Sequence, residues 1–360
     1  MNLTALRLVA HTIKPIKDFR ENLLTEKLLT EAAEIARRNR VFLAFYEGLS
    51  RLSMDIPEHI HIIWRKEAER KEAFKKALTE IVEVSKQNNI NFLVFKSIKP
   101  FTYVGDDIDI LVPEKHNFNN FIEIIKNIGY ISIGGGPPEE TLVKYVNGVK
   151  VMIDVHRMLS ASYIPYVDAL NVWRRKVKRK INGFEIHVPS LNDEMLILAG
   201  HSLLKEFKMR LADFYHGLLL MPKINFNELY EIAKMEKMKY PLEIFIIILG
   251  RMYEILYEED LPYLRPNLAN DNNFARIVHK IIENDLRKKL KMPYYYPLSL
   301  TALSYMGKLR DMITCGDKEL LNFLKAPFTS KEGLNVLLKY LSIILNRQIF
   351  KRFCLYRLGR

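Results

Sequence analysis

The stretch Phe95-Lys-Ser-Ile-Lys-Pro-Phe-Thr-Tyr-Val-Gly-Asp-Asp-Ile-Asp-Ile-Leu-Val112 decides how this chain is read. It sets Asp107 and Asp109 two residues apart inside an apolar run. In a β-strand residues i and i+2 share a face, so the two carboxylates project side by side while Ile108 and Ile110 turn the other way into a core. Two close carboxylates repel unless a cation or a proton sits between them. Oxygen ligands on a strand suit Mg²⁺, which takes one or two carboxylates and leaves room for substrate phosphates.

A third carboxylate lies in Val149-Lys-Val-Met-Ile-Asp-Val-His156, again rich in β-branched residues. Asp154 stands between Ile153 and Val155, as in a strand at least half buried, and a buried carboxylate requires a partner. Paired beside the first strand, this one would bring Asp107, Asp109 and Asp154 onto two metal ions roughly 3.5–4 Å apart, an arrangement for in-line phosphoryl displacement. His156 shares the face of Asp154 and is a candidate for orienting substrate; a core histidine is the other reading of it.

These residues resemble the DNA-polymerase-β-like nucleotidyltransferase superfamily. Its pattern is a strand ending in Gly-Gly or Gly-Ser, a short helix, Asp-x-Asp on the next strand and a third acidic residue on a later one. Here Asn91-Phe-Leu-Val-Phe95 precedes Ser97, Asp107-Ile-Asp109 follows, and Asp154 takes the third position. The resemblance is nearest to an uncharacterised archaeal and bacterial branch in which Lys-Gly replaces Gly-Ser. There Asp-x-Asp is followed by a helix, Gly-Tyr and Asp-hydrophobic-His, matched here by Gly129-Tyr130 and Asp154-Val-His156. It covers residues 90–160 and extends more loosely to His201 and Arg210-Leu-Ala-Asp213. It implies an α+β core that moves a nucleoside monophosphate from an NTP or dNTP to an acceptor hydroxyl. Asp107, Asp109 and Asp154 would be catalytic and hold Mg²⁺ or Mn²⁺. Lys96 and Ser97 would hold the nucleotide at a turn followed by a short helix, with Pro100 in its first turn. The departure from the pattern is Lys96-Ser97 itself, a turn without glycine.

The chain has 360 residues, a formal net charge of +13 and a nearly half hydrophobic composition. That length favours more than one domain, and the charge favours an anionic partner such as nucleic acid or nucleotide. Cys315 and Cys354 supply neither a disulfide framework nor metal-ligand spacing, which points to a reducing, cytoplasmic setting. No signal peptide is read at the start, and no apolar run is long enough to cross a bilayer. Tyr240 to Gly250 is short and contains Glu243, and reads as a buried helix. Glutamine occurs only at Gln87 and Gln348 amid abundant Lys, Glu and Ile, a thermophile-like usage.

Helical spacing marks residues 15–53 and Ile60–Val84, and Lys115–Ile128 reads as an amphipathic helix. Short strands are expected at 90–95, 108–112, 130–133, 142–147 and 149–156, with Asn147-Gly148 as a hairpin turn. Gly134 to Pro138 reads as a loop. After Ser190 helices prevail, with a hinge at Leu261-Pro-Tyr-Leu-Arg-Pro266 and a last helix over Ser330–Phe353. The expected division is an N-terminal helical region (1–88), a nucleotidyltransferase core with a small mixed sheet (89–190) and a helical C-terminal domain that binds the acceptor (191–360).

Arg174-Arg-Lys-Val-Lys-Arg-Lys180 carries six cations in seven residues. Arg174, Arg175, Lys176, Lys178, Arg179 and Lys180 are therefore candidate nucleic-acid contacts, against the alternative of a solvated charge run. Arg287 to Tyr296 and Arg347 to Arg360 mix charge with aromatic rings in the manner of single-strand grooves. The favoured acceptor is a nucleic acid 3′ end, RNA or DNA, extended without a template. Two readings stand beside it: transfer to a protein or small molecule, and an inactive nucleic-acid-binding relative.

Overall fold

Strand β5 (Val149–His156) shows how the chain builds its centre. Val151, Ile153 and Val155 are buried, while Met152 and Asp154 are only half-buried, so the strand alternates as the sequence predicts. In the computed structural model, which describes residues 2–14, 25–136, 139–161, 164–181, 183–262, 272–286 and 290–315, β5 lies inside a seven-stranded mixed sheet. The other members are β1 (Leu93–Phe95), β2 (Ile108–Leu111), β3 (Ile131–Gly136), β4 (Glu139–Val146), β8 (Val177–Ile181) and β9 (Phe184–Val188). Their order is β3-β4-β5-β2-β1-β9-β8. β2 runs parallel to β5 and antiparallel to β1; β1 runs parallel to β9.

The β4–β5 hairpin turns at Asn147 and Gly148, both at positive φ (51° and 78°), as a two-residue turn between twisted strands requires. The glycines expected in a loop instead extend β3. Gly134, Gly135 and Gly136 pair with Thr141, Glu140 and Glu139 of β4. Gly135 has φ 148°, and a Cβ there would stand 2.4 Å from the Glu139 carbonyl oxygen, so close strand approach decides the residue type. Pro137 and Pro138 lie outside the described residues.

One sheet face carries Val94, Ile108, Ile110, Leu142, Ile153 and Val155 and is covered by α4 (Glu58–Gln87) and α5 (Lys115–Asn127). Ala73, Ala77 and Ile81 recur every fourth residue on α4, and Phe121, Ile122 and Ile125 form the stripe on α5. The opposite face contributes Leu93, Phe95 and Leu111 to a second apolar cluster. That cluster also contains α1 (Leu3–Ile13), α2 (Glu26–Arg38), α3 (Phe42–Arg51) and the helices after residue 190. Thr25 caps α2 and Ser190 caps the first helix beyond 190, each accepting a backbone N–H with its hydroxyl.

The fold is α+β, with helices at both ends of the mixed sheet. Two short strands, β6 (Leu159–Ala161) and β7 (Ile164–Val167), and helix α6 (Ala169–Arg174) lead to the β8–β9 hairpin, which adds two strands beyond those expected. Then come α7 (Leu191–Gly200), a π-helical turn (His201–Glu206), β10 (Lys208–Met209), α8 (Leu211–Leu220), α9 (Phe226–Met235), α10 (Lys239–Tyr257), α11 (Asn272–Leu286), β11 (Tyr294–Tyr295) and α12 (Leu298–Thr314). Glu243 is buried within α10, and no helix of the described residues is long and apolar enough to cross a membrane. The expected hinge beyond Pro262, the helix over Ser330–Phe353 and the basic-aromatic tail lie outside the described residues, as do Arg287–Lys289.

Candidate active site

The parallel ladder between β2 and β5 pairs Asp109 with Asp154. Antiparallel neighbours add Phe95 from β1 and Thr141 from β4, so Thr141, Asp154, Asp109 and Phe95 form one row on one face. In the next row Glu139 of β4 pairs with His156, which pairs with Leu111. Of the three aspartates expected to converge, Asp109 and Asp154 are thus strand neighbours, while Asp107 precedes β2.

Four of the charged groups are linked through named partners. Lys96 Nζ lies 2.8 Å from Asp109 Oδ1. His156 Nε2 lies 3.2 Å from that same oxygen, and His156 Nδ1 lies 3.3 Å from Glu139 Oε2. Lys205, on the π-helical turn, approaches Glu139 Oε2 at 3.2 Å. Thr141 Oγ1 donates to Asp154 Oδ1 at 2.7 Å. A π-turn inside a helical segment is a feature that recurs at functional sites. Here it points Lys205 at the sheet.

The electrostatics follow from burial and these pairings. Burial opposes the charge of Lys96, but Asp109 outweighs it and holds the ammonium pKa above its ordinary value. Burial would raise Asp109, yet Lys96 and His156 pull it below the usual carboxylate range. Asp107 is shifted the other way, upward, by burial and by the charge of Asp109. His156 is raised: burial works against the charged ring, and its two carboxylate acceptors prevail. His201, half-buried, is pushed well below its ordinary value by desolvation and then by the charges of Lys96, Lys205, Arg210 and Lys99.

The turn after β1 departs from expectation. No helix follows Ser97; residues 96–107 form an irregular connection, so Pro100 opens no helical turn. Ser97 Oγ accepts the Asp109 N–H at 2.8 Å and donates to the Phe95 carbonyl at 3.2 Å. Its hydroxyl therefore braces the carboxylate-bearing strand and caps no helix. The positive-φ position of the turn falls on Lys96 (φ 55°). A non-glycine residue there costs about 1–2 kcal/mol, a strain met at functional sites.

Asp109, Asp154 and His156 form the metal-competent group among the described residues, with ligand atoms within 4.8 Å of one another. Asp107 stands outside that set. It precedes the first residue of β2, and the strand ladder does not hold it in line. Two oxygen donors and a nitrogen donor fit a divalent metal ion. Reading the sequence alone singles out neither Glu139 nor Lys205. Glu139 was legible in principle, because counting back from the Asn147-Gly148 turn sets it opposite His156.

The basic run divides. Arg175 pairs with buried Asp193 (2.6 Å) and Glu236 (2.9 Å), and Arg179 NH2 lies 3.5 Å from Glu194. Lys176 packs over the Trp173 ring. Arg174, Lys178 and Lys180 are exposed, with Lys178 near Glu185. The expected six-cation patch is reduced because the carboxylates of α7 and its neighbours draw two arginines inward.

The model of a family described as uncharacterised nucleotidyltransferase matches residues 26–254. The chain belongs to that family. It is a nucleotidyltransferase enzyme, and the superfamily expected from the aspartates holds. A crystal structure of a candidate nucleotidyltransferase from H. pylori is similar at 12% identity and a TM-score of 0.30, over 59% of this chain and 97% of that one. No curated protein matches the chain.

Proposed function

We propose that this nucleotidyltransferase moves a nucleoside monophosphate from an NTP or dNTP to the 3′ hydroxyl of a nucleic acid, without a template. The observation that carries the reading is the strand-neighbour pairing of Asp109 with Asp154, beside Asp107 and Lys96. Asp109, Asp154 and His156 would hold a divalent ion, with Asp107 beside them; bound there, the ion supplies charge neutralisation at the phosphoryl oxygens. A mixed oxygen and nitrogen donor set suits Mn²⁺ as well as the Mg²⁺ favoured by carboxylates.

The residues of the chain divide the remaining work. Thr141 occupies one oxygen of Asp154 and so orients the other, which takes the proton of the acceptor hydroxyl as that oxygen attacks the α-phosphorus. The bond to the pyrophosphate oxygen breaks, and pyrophosphate leaves. Lys96 sets positive charge where phosphates and carboxylates meet, and Ser97 keeps Asp109 in place from the backbone side.

The nucleic-acid acceptor is supported by the net charge of +13 and by exposed Arg174, Lys178 and Lys180. Those residues lie on or beside β8, three strands from β2, which is about 14 Å at ordinary strand spacing. The withdrawal of Arg175 and Arg179 into ion pairs favours the second reading, a protein or small-molecule hydroxyl. Incubation with labelled NTPs or dNTPs, Mg²⁺ or Mn²⁺ and each acceptor class separates the two. Label in RNA or DNA is the expected result; label in protein or small molecule supports the second reading. No transfer under any condition overturns both.

A further inference from the structure

Lys96 is placed with more care than a phosphate-binding lysine needs. Its ammonium lies 2.8 Å from Asp109 Oδ1, and both side chains are nearly buried, at 16% and 6% exposure. The same oxygen receives His156 Nε2. The Lys96 ammonium also sits 5.2 Å from the centre of the Phe95 ring, a cation–π distance. The turn that carries it is clamped to its own target: Ser97 N–H donates to the Phe95 carbonyl at 2.6 Å, and Asp109 N–H donates to Ser97 Oγ. The backbone adopts φ 55° at Lys96, a conformation glycine would take freely.

A strained, buried and braced ammonium on the central carboxylate has a consequence for metal count. Two divalent ions roughly 3.5–4 Å apart both draw on the carboxylate between them, and a cation already seated on that carboxylate competes with one of them by charge repulsion. Here the Lys96 ammonium is already seated on Oδ1 of Asp109. With His156 neutral as a ligand, the carboxylates of Asp107, Asp109, Asp154 and Glu139 set against the ammoniums of Lys96 and Lys205 leave two negative charges, which one divalent ion balances. We propose that Lys96 stands in for one of the two metal ions expected from the carboxylates, so that the enzyme works with a single divalent ion beside a built-in ammonium. This deepens the nucleotidyl-transfer reading above and rests on it.

The test counts metal. Protein-bound Mn²⁺ is measured by equilibrium dialysis, with a non-hydrolysable α,β-methylene NTP analogue at saturation in both chambers. The wild-type chain and Lys96→Arg are expected to hold one ion per chain, and Lys96→Met two. Without metal, Lys96→Met is expected to melt below wild type and to gain more from added Mn²⁺ than wild type does. Two ions on the wild-type chain overturn the proposal, as does a single ion on a folded Lys96→Met chain. If Lys96→Met fails to fold, the wild-type count decides alone. Analogue that binds with two ions overturns this proposal and leaves the transfer reading standing. Analogue that does not bind overturns the transfer reading and this one with it.

Discussion

On β5, residues Val151, Ile153 and Val155 turn to one side of the sheet and Met152, Asp154 and His156 to the other. The two faces are built from the same strands but held by different physics. The first packs against α4 and α5 through many apolar neighbours, each individually weak and none directional. The second is a chain of single polar partners: Lys96 to Asp109, Asp109 to His156, His156 to Glu139, Glu139 to Lys205, and Thr141 to Asp154. Removing one charged member leaves its partner's charge uncompensated, a cost as large as emptying a fully buried apolar site. The apolar face therefore sets how firmly the sheet is held, and the polar face sets what it can do.

The largest effect is expected where the two roles meet. Asp109→Asn should lower kcat by at least about 10²–10³-fold, the scale for removing one group that stabilises developing charge. It should also cost about 3–5 kcal/mol of stability, because Lys96 is left buried without its counter-ion. Single-turnover rates and urea melts measure the two losses; an Asp109→Asn chain as stable as wild type would break the picture of a chained polar face. On the other side, Ile110→Ala or Ile153→Ala, both fully buried, should cost about 2–5 kcal/mol. Nucleotide affinity of the folded fraction should stay unchanged. A specific loss of affinity would show that the faces are not separable.

Smaller effects sharpen the comparison. Glu139→Gln removes the charge that steadies His156 and should weaken Mn²⁺ binding about 10–100-fold, the range for partners of metal-ligating histidines. Calorimetric titration reads this, and unchanged affinity would make Glu139 a mere partner of Lys205. Asp107→Asn relieves a carboxylate held up by burial and by Asp109, and should raise the metal-free Tm by about 1–3 °C. Thermal melts in chelator check the sign. The smallest effect belongs to the basic run: replacing Arg174, Lys178 and Lys180 by Ala should change stability by less than about 0.5 kcal/mol. If they touch nucleic acid, the salt dependence of binding should flatten by about 0.7 for each phosphate that the variant no longer neutralises.

Removing both Asp107 and Asp109 carboxylates is expected, from sequence alone, to relieve repulsion. The structure splits that expectation. Asp107 is the repelled partner, whereas Asp109 is neutralised by Lys96 and His156, so relief belongs to one and loss to the other. The basic run divides in the same manner: the sequence shows six cations, and only the packing of α7 and α9 reveals that Arg175 belongs to Asp193 and Glu236.

What the sequence by itself determined is local and periodic. The two-residue period put Asp109 and Asp154 on strand faces opposite Ile110 and Ile153, and Asn147-Gly148 closed the β4–β5 hairpin. Even Glu139 opposite His156 followed from that turn, since a two-residue hairpin sets every later pairing along its strands. The tertiary structure alone decided the parallel pairing of β2 with β5, the reach of Lys96 to Asp109, and the arrival of Lys205 from a π-turn just over a hundred residues beyond β1. The reason is physical. Side-chain direction along a strand is dictated by neighbouring residues, whereas a charge finds its partner through the packing of segments distant in the chain, and no periodicity records it.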